Sequence, residues 1–125
     1  MTDRYVLDTN VVLYLLSGRL VNPLPVGEFY LSIISEIEML SFSAIGQEEE
    51  SRIREFLAQV TIVGLSEEVK QLTIEIRRKY RLKLPDAIVC ATAIILDSDL
   101  LSNDVQLEKV TELMLSSVQI QPKPQ

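Results

Sequence analysis

Short apolar segments alternate along this sequence with longer segments that carry apolar residues at helical spacing. The apolar segments that predict buried strands are residues 4–8, 28–34, 60–65 and 100–102, with 117–120 as a candidate fifth strand. The helical patterns cover 11–16, 46–59 and the stretches that open at Ser35, Ser66 and Pro85. Strands that alternate with helices imply a parallel sheet covered on both faces. The pattern therefore predicts a three-layer α/β/α fold with a central, mainly parallel sheet of four to five strands.

The chain is short enough to form one domain, predicted to span residues 1–120, followed by a loose polar tail at 121–125. No apolar run reaches the length of a membrane span, and the first residues lack the pattern of a signal peptide. The single cysteine, Cys90, allows no internal disulfide and is typical of a reducing compartment. We therefore expect a cytoplasmic protein that does not associate with membranes.

The absence of histidine narrows the chemistry. It excludes Ser-His-Asp and Cys-His nucleophiles and zinc sites that need imidazole, and one cysteine excludes a site with several thiolates. Carboxylates are plentiful, with 18 Asp and Glu against 12 Lys and Arg and a net charge of -6. An acidic protein binds polyanions poorly, so any contact with nucleic acid needs a bridging cation and locally concentrated positive charge.

Four acids lie where the predicted strands end or where the following helices begin. Asp8 ends the first strand, Asp104 follows the fourth, Glu38 lies in the helix after the second, and Asp86 opens an apolar helix. Sites in parallel α/β folds lie at the carboxyl ends of the strands. Four acids at that edge would repel one another unless a cation sat among them.

Each of these acids also has a purely structural interpretation. Asp8 could cap a helix, and Asn103-Asp104 is an ordinary turn pair. Glu38 stands three residues after Ser35, at capping-box spacing, and Asp86 follows Pro85 in a first helical turn. Taken singly, none of the four acids predicts a metal site.

The order of four short motifs resembles the PIN-domain family and, within it, the compact VapC-type toxin nucleases. The motifs are Leu7-Asp8-Thr9-Asn10, Ser32-Ile33-Ile34-Ser35-Glu36-Ile37-Glu38-Met39, Leu84-Pro85-Asp86 with the alanine-rich helix after it, and Leu101-Ser102-Asn103-Asp104. The resemblance covers nearly the whole chain. The sequence departs from the family after Met39, where Leu40-Ser41-Phe42 lacks the small or glycine residue expected there, and after Asp104, where Val105-Gln106-Leu107 replaces the family's aromatic.

This resemblance implies a ribonuclease whose acidic pocket binds Mg²⁺ or Mn²⁺ and cuts RNA. Carried over position by position, the catalytic metal ligands would be Asp8, Glu38, Asp86 and Asp104. Asn10 and either Ser102 or Asn103 would support them. Glu36 is the rival to Glu38, and the two cannot both face one site because two residues on a helix are about 200° apart. The resemblance also implies a homodimer and an antitoxin protein that holds the enzyme inactive.

Positive charge is concentrated just before Asp86. The stretch contains Arg77, Arg78, Lys79, Arg81 and Lys83. It is either the solvated end of a helix, where cations favour the dipole, or a ridge that positions substrate phosphates. For the second role the candidates are Arg77, Arg78, Arg81 and Lys83.

Other classes of protein fit the sequence less well. A phospho-acceptor receiver would need adjacent acids after the first strand, and a haloacid-type phosphatase would need Asp at position 10, which is Asn10. A catalytically silent PIN-like interaction module and a housekeeping RNA-processing nuclease remain alternatives. The apolar loop 20–26 either marks an interface or folds back onto its own core.

Overall fold

The computed structural model describes residues 3–122, so the last three residues of the predicted tail lie outside it. The strands are β1 Arg4–Leu7, β2 Glu28–Ser32, β3 Thr61–Val63, β4 Asp99–Leu101 and β5 Met114–Ser116. The helices are α1 Thr9–Leu16, α2 Ile33–Leu40, α3 Gln47–Leu57, α4 Glu67–Tyr80 and α5 Leu84–Ile95, with a 3₁₀ helix at Val105–Lys109. None of these helices is long and apolar enough to cross a membrane.

All five strands are parallel and follow the order β3-β2-β1-β4-β5. The predicted central parallel sheet is therefore confirmed. The chain builds outward from β1 to one side through β2 and β3, then returns to the other side of β1 through β4 and β5. This reversal places a crevice at the carboxyl ends of β1 and β4, which is where open α/β sheets bind ligands.

The core has two parts, one on each face of the sheet. Val6 and Leu7 are successive buried residues of β1, and they join different apolar clusters because side chains alternate across a strand. The Val6 cluster includes residues of α4 and α5. In α5, the seven consecutive residues 87–93 are all buried. The Leu7 cluster includes residues of α1 and α3, such as Val12 and Ile53. Layers on both faces confirm the α/β/α architecture.

The boundary between β2 and α2 lies two residues earlier than the sequence predicts. The strand predicted over 28–34 ends at Ser32, and the helix predicted to open at Ser35 begins at Ile33. Ser32 caps it by accepting a hydrogen bond from the Ile34 amide, and the β-branched Ile33-Ile34 pair had favoured a strand. The capping-box interpretation of Ser35 and Glu38 is therefore wrong.

The last strand was also misplaced. It lies at Met114–Ser116 rather than at 117–120, where Ile120 forms an isolated antiparallel bridge with Leu20. Both segments have short apolar patterns of similar strength, so the choice between them depends on pairing with β4, which the local sequence does not encode.

Candidate metal centre

One cleft at the carboxyl edge of the sheet is lined by all four acids singled out from the sequence. They arrive from four separate segments of the chain: Asp8 after β1, Glu38 in α2, Asp86 in the first turn of α5, and Asp104 after β4. The cleft has a volume of about 550 Å³. The fold thus brings together carboxylates that lie up to 96 residues apart in the chain.

The four carboxylates are close enough to act on one another electrostatically. The pKa of Asp86 is raised, first by partial burial and then by the negative charges of Asp104, Asp8 and Glu38. Lys83 opposes this shift and lowers the pKa. The cleft is therefore a region of unbalanced negative potential, which is the environment that attracts a cation.

Asp8 is held in place by hydrogen bonds to both of its carboxylate oxygens. The Thr9 amide donates to Oδ1 over 2.8 Å, and the Ser102 hydroxyl donates to Oδ2 over 2.6 Å. The first bond is the helix cap that the sequence allowed, since Asp8 is the N-cap of α1. Capping and facing the cleft are thus compatible in one side chain.

Ser102 connects the ends of the two central strands. Its buried hydroxyl donates to Asp8 and accepts a hydrogen bond from the Asp104 amide over 3.1 Å. Asn103 has a different role, because its side-chain amide makes two hydrogen bonds to the backbone of Val118. Of the two candidate supports on this motif, Ser102 touches an acid of the cleft and Asn103 anchors the segment after β5.

The opposite side of the cleft is formed by α1 and α2. Glu38 lines the cleft and accepts a hydrogen bond from the Thr9 hydroxyl over 3.0 Å, whereas Glu36 is not among the lining residues. Asn10, predicted as a support, also lines the cleft. The structure therefore favours Glu38 over Glu36 as the acid that faces the other three.

The four carboxylates line one cleft but are not grouped tightly around one point. Within residues 3–122, no group of three or more Asp, Glu or Cys side chains is positioned to hold a metal ion directly. Two of the acids make other hydrogen bonds: Glu38 accepts from the Thr9 hydroxyl, and Asp104 accepts from the Gln106 amide as the cap of the 3₁₀ helix. Rotation of these two carboxylates, or bridging water, would be needed for ligation.

The available donors fit a hard cation. They are carboxylate oxygens, which Mg²⁺ and Mn²⁺ prefer. Cys90 lies one helical turn from Asp86, but burial and the charge of Asp86 raise the pKa of its thiol to about 12. Cys90 therefore stays protonated and serves as packing, because a thiol ligates metal only as the thiolate.

The cationic stretch lies at the end of α4 and in the turn before α5, and we call Arg77, Arg78, Lys79, Arg81 and Lys83 the α4 basic segment. None of its residues lines the cleft. Lys79 pairs with Glu112, and Arg77 donates to the Leu82 carbonyl. Lys83 is the member whose charge reaches Asp86, so the segment borders the site at this end.

Sequence reasoning missed the apolar side of the cleft. It is formed by Leu13, Met39, Phe42, Ile45 and Ile53, which we call the apolar wall, with Glu49 at its edge. Phe42 is 70% exposed, which is unusual for a phenylalanine. The departure from the family at Leu40-Ser41-Phe42 marks this loop in the sequence. It does not indicate that the loop lies next to α3 and beside the acids.

Comparison with known proteins agrees with this architecture. The PIN domain family model matches residues 5–113, while the sequence matches no protein of curated function. A toxin–antitoxin complex from Klebsiella pneumoniae contains a chain with 28% identity and a TM-score of 0.72, over 87% of this chain and 94% of that one.

Two further structures are similar in fold. VapBC2 from Rickettsia felis, bound to a DNA fragment from its promoter, gives a TM-score of 0.75 at 19% identity, over 93% of this chain and 99% of that one. VapBC-1 from nontypeable Haemophilus influenzae gives a TM-score of 0.74 at 18% identity, over 91% of this chain and 97% of that one. Because the family model spans most of the sequence, this chain belongs to the PIN domain family.

Proposed function

We propose that the protein is a metal-dependent endoribonuclease that hydrolyses phosphodiester bonds of RNA. The observation that carries this proposal is the convergence of Asp8, Glu38, Asp86 and Asp104 on one cleft, where partial burial and then the charges of the other three acids raise the pKa of Asp86. Membership of the PIN domain family supports the same reaction class.

In this proposal the four carboxylates hold Mg²⁺ or Mn²⁺, and Ser102 fixes the direction of Asp8. Asn10 supports the site from α1, whereas Asn103 contributes only by anchoring the segment after β5. The cation would supply an activated water and neutralise the charge that builds on the phosphate. Because the sequence has no histidine, a carboxylate of the cleft must accept the proton in any step that needs a protein base.

Substrate RNA must approach an acidic protein, so local positive charge is needed. We assign this role to Arg77, Arg78, Arg81 and Lys83 of the α4 basic segment. Arg78, Arg81 and Lys83 are exposed, and Lys83 acts on Asp86 through its charge. The segment would position phosphates beside the cleft without reading the sequence of bases.

We further propose that the protein is the toxin of a VapC-type toxin–antitoxin pair. The similar structure from Klebsiella pneumoniae is a toxin–antitoxin complex, and that from Rickettsia felis is VapBC2 bound to promoter DNA. An antitoxin segment that offered Arg or Lys to the cleft would compete with the metal for the same carboxylates, which gives inhibition an electrostatic cause. We expect this activity in the cytoplasm.

A homodimer is the expected assembly of the chain. In loop 20–26, Val26 is 95% exposed, while Leu24 packs against the Leu7 cluster, so the loop is only partly folded back. Exposed apolar side chains of this kind mark interfaces when they cluster.

The proposal is tested by incubating the purified chain with labelled single-stranded RNA in Mg²⁺, in Mn²⁺ and in excess chelator. We expect cleavage that needs the cation. Absence of cleavage with either metal would favour the silent interaction module. Cleavage by a chain that is harmless when expressed without a partner would favour a housekeeping RNA-processing nuclease over a toxin.

A further inference from the structure

The cleft does not end at the apolar wall but continues into a groove between α1 and α3. This groove has a volume of about 600 Å³. Asn10, Leu13, Glu49 and Ile53 line both spaces, so the two are continuous. Beyond them, the groove is lined by Tyr14, Leu16, Ser17, Arg19 and Arg52. From Asn10 to Leu16, α1 rises about 9 Å, which is long enough to accommodate one nucleotide between its two phosphates.

The chemical character of this surface changes in a fixed order along its length. The four carboxylates lie at the inner end, the apolar wall follows, and Arg19 and Arg52 lie at the outer end. On α3, Arg52 is one turn beyond Glu49, about 4.5 Å further along the helix axis. The order of a metal-binding cluster, an apolar surface and a cation is complementary to phosphate, base and phosphate in a nucleic-acid strand.

Phe42 of the apolar wall and Arg52 at the outer end are both available for binding. Phe42 lies in the loop between α2 and α3 and is 70% exposed. Arg52 is exposed, and no residue in the range 3–122 forms a hydrogen bond or ion pair with its guanidinium. Arg19 is less available, since it stacks on Tyr14 and donates to the Gln121 carbonyl.

We propose that the apolar wall and the α1–α3 groove bind one nucleotide of single-stranded RNA next to the scissile phosphate. This inference rests on the proposed nuclease function. The base stacks on Phe42, and the phosphate on its far side binds Arg52. Glu49, between them, repels phosphate and so favours a strand in which only the base contacts the wall. Aromatic stacking accepts any base because every base has a π-face.

The test uses an Asp8→Asn background, in which the proposed hydrolysis is blocked and binding is read alone. A fluorescent ten-nucleotide RNA is bound in Mg²⁺, intact and with a single abasic site at each position in turn. We expect one abasic position to weaken binding roughly tenfold, the loss of one stacked base. Adding Phe42→Ala should weaken binding of the intact RNA by a similar factor. It should also remove the effect of that abasic position, because the two changes delete the same contact.

Arg52→Ala in the same background should weaken binding of all RNA sequences alike. It should also reduce the slope of log affinity against log salt concentration by about 1, the value for one lost phosphate contact. Ile37→Ala is the matched control, since Ile37 is an exposed apolar residue of α2 that does not line the cleft. Thermal melting verifies that all variants fold.

The inference is overturned if Phe42→Ala binds the intact RNA as tightly as its parent and every abasic effect persists. The apolar wall would then be assigned to binding a protein partner instead of RNA. Failure of the nuclease proposal is seen separately, as absence of metal-dependent cleavage by the unsubstituted chain, while the binding experiment still reports on the groove.

Discussion

The hydroxyl of Ser102 donates a hydrogen bond to Asp8 over 2.6 Å, joining residues that are 94 positions apart in the chain. The bond ties the carboxyl end of β4 to the carboxyl end of β1. Because Ser102 also accepts from the Asp104 amide, one hydroxyl sets the positions of two of the four acids. The candidate metal centre therefore depends on the pairing of the two central strands.

Replacing Ser102 with Ala should weaken metal binding. The change removes the donor that orients Asp8 and leaves the Asp104 amide without its partner. Loss of an outer hydrogen bond of this kind lowers metal affinity by about 10- to 100-fold. Titration calorimetry with Mn²⁺ measures the effect. Ser98→Ala is the control, because Ser98 is equally buried but donates to the Ala93 carbonyl, away from the acids. Equal affinities for the two variants would show that Ser102 does not position the site.

Replacing Asp86 with Asn should raise the melting temperature of the metal-free protein at pH 7. The pKa of Asp86 is raised in the fold, so the stability associated with its protonated form is present at low pH and is lost as pH rises through that pKa. The rise should be small, about 1–3 °C, since the carboxyl is partly exposed.

The difference in melting temperature between Asp86→Asn and the unsubstituted chain should shrink as the pH falls below the raised pKa. Mg²⁺ should stabilise the unsubstituted chain more than the variant. A variant that melts below the unsubstituted protein at pH 7 would mean that Asp86 is a structural cap and not a source of repulsion.

Replacing Arg78 and Arg81 with Ala should weaken RNA binding for all sequences and flatten its salt dependence. Both residues are exposed members of the α4 basic segment. Fluorescence anisotropy at several salt concentrations gives the affinity and the slope. Lys70→Ala, which removes a cation paired with Glu67 elsewhere on α4, is the control. If affinity and slope match those of the control, the segment serves only to stabilise the end of α4.

Sedimentation of the purified chain at micromolar concentration tests the expected homodimer. A dimer should bury at least about 1,000 Å² in total, and Val26→Glu should weaken it if loop 20–26 lies in the interface. A clean monomer would reject the dimer.

The sequence predicted the positions of the acids better than the surface around them. Asp8 and Asp104 follow strands whose apolar runs are short and sharply bounded, so their place at the sheet edge followed from alternation alone. The β-branched pair Ile33-Ile34 predicts a strand because such residues favour extended backbone, whereas the Ser32 cap sets the start of the helix. The apolar wall depends on how the α2–α3 loop meets α1, a tertiary contact that no local pattern encodes.

The most direct test of the central claim is the rate of Mg²⁺-dependent RNA cleavage by four single variants: Asp8→Asn, Glu38→Gln, Asp86→Asn and Asp104→Asn. Glu36→Gln is the matched control on the same helix, because Glu36 does not line the cleft. We predict that all four variants lose at least about a hundredfold in rate and remain folded, while the control cleaves as the unsubstituted chain does. Full activity in the Glu38→Gln variant together with loss in Glu36→Gln, or metal-dependent cleavage that survives all four substitutions, would contradict the assignment of this cleft as the metal centre.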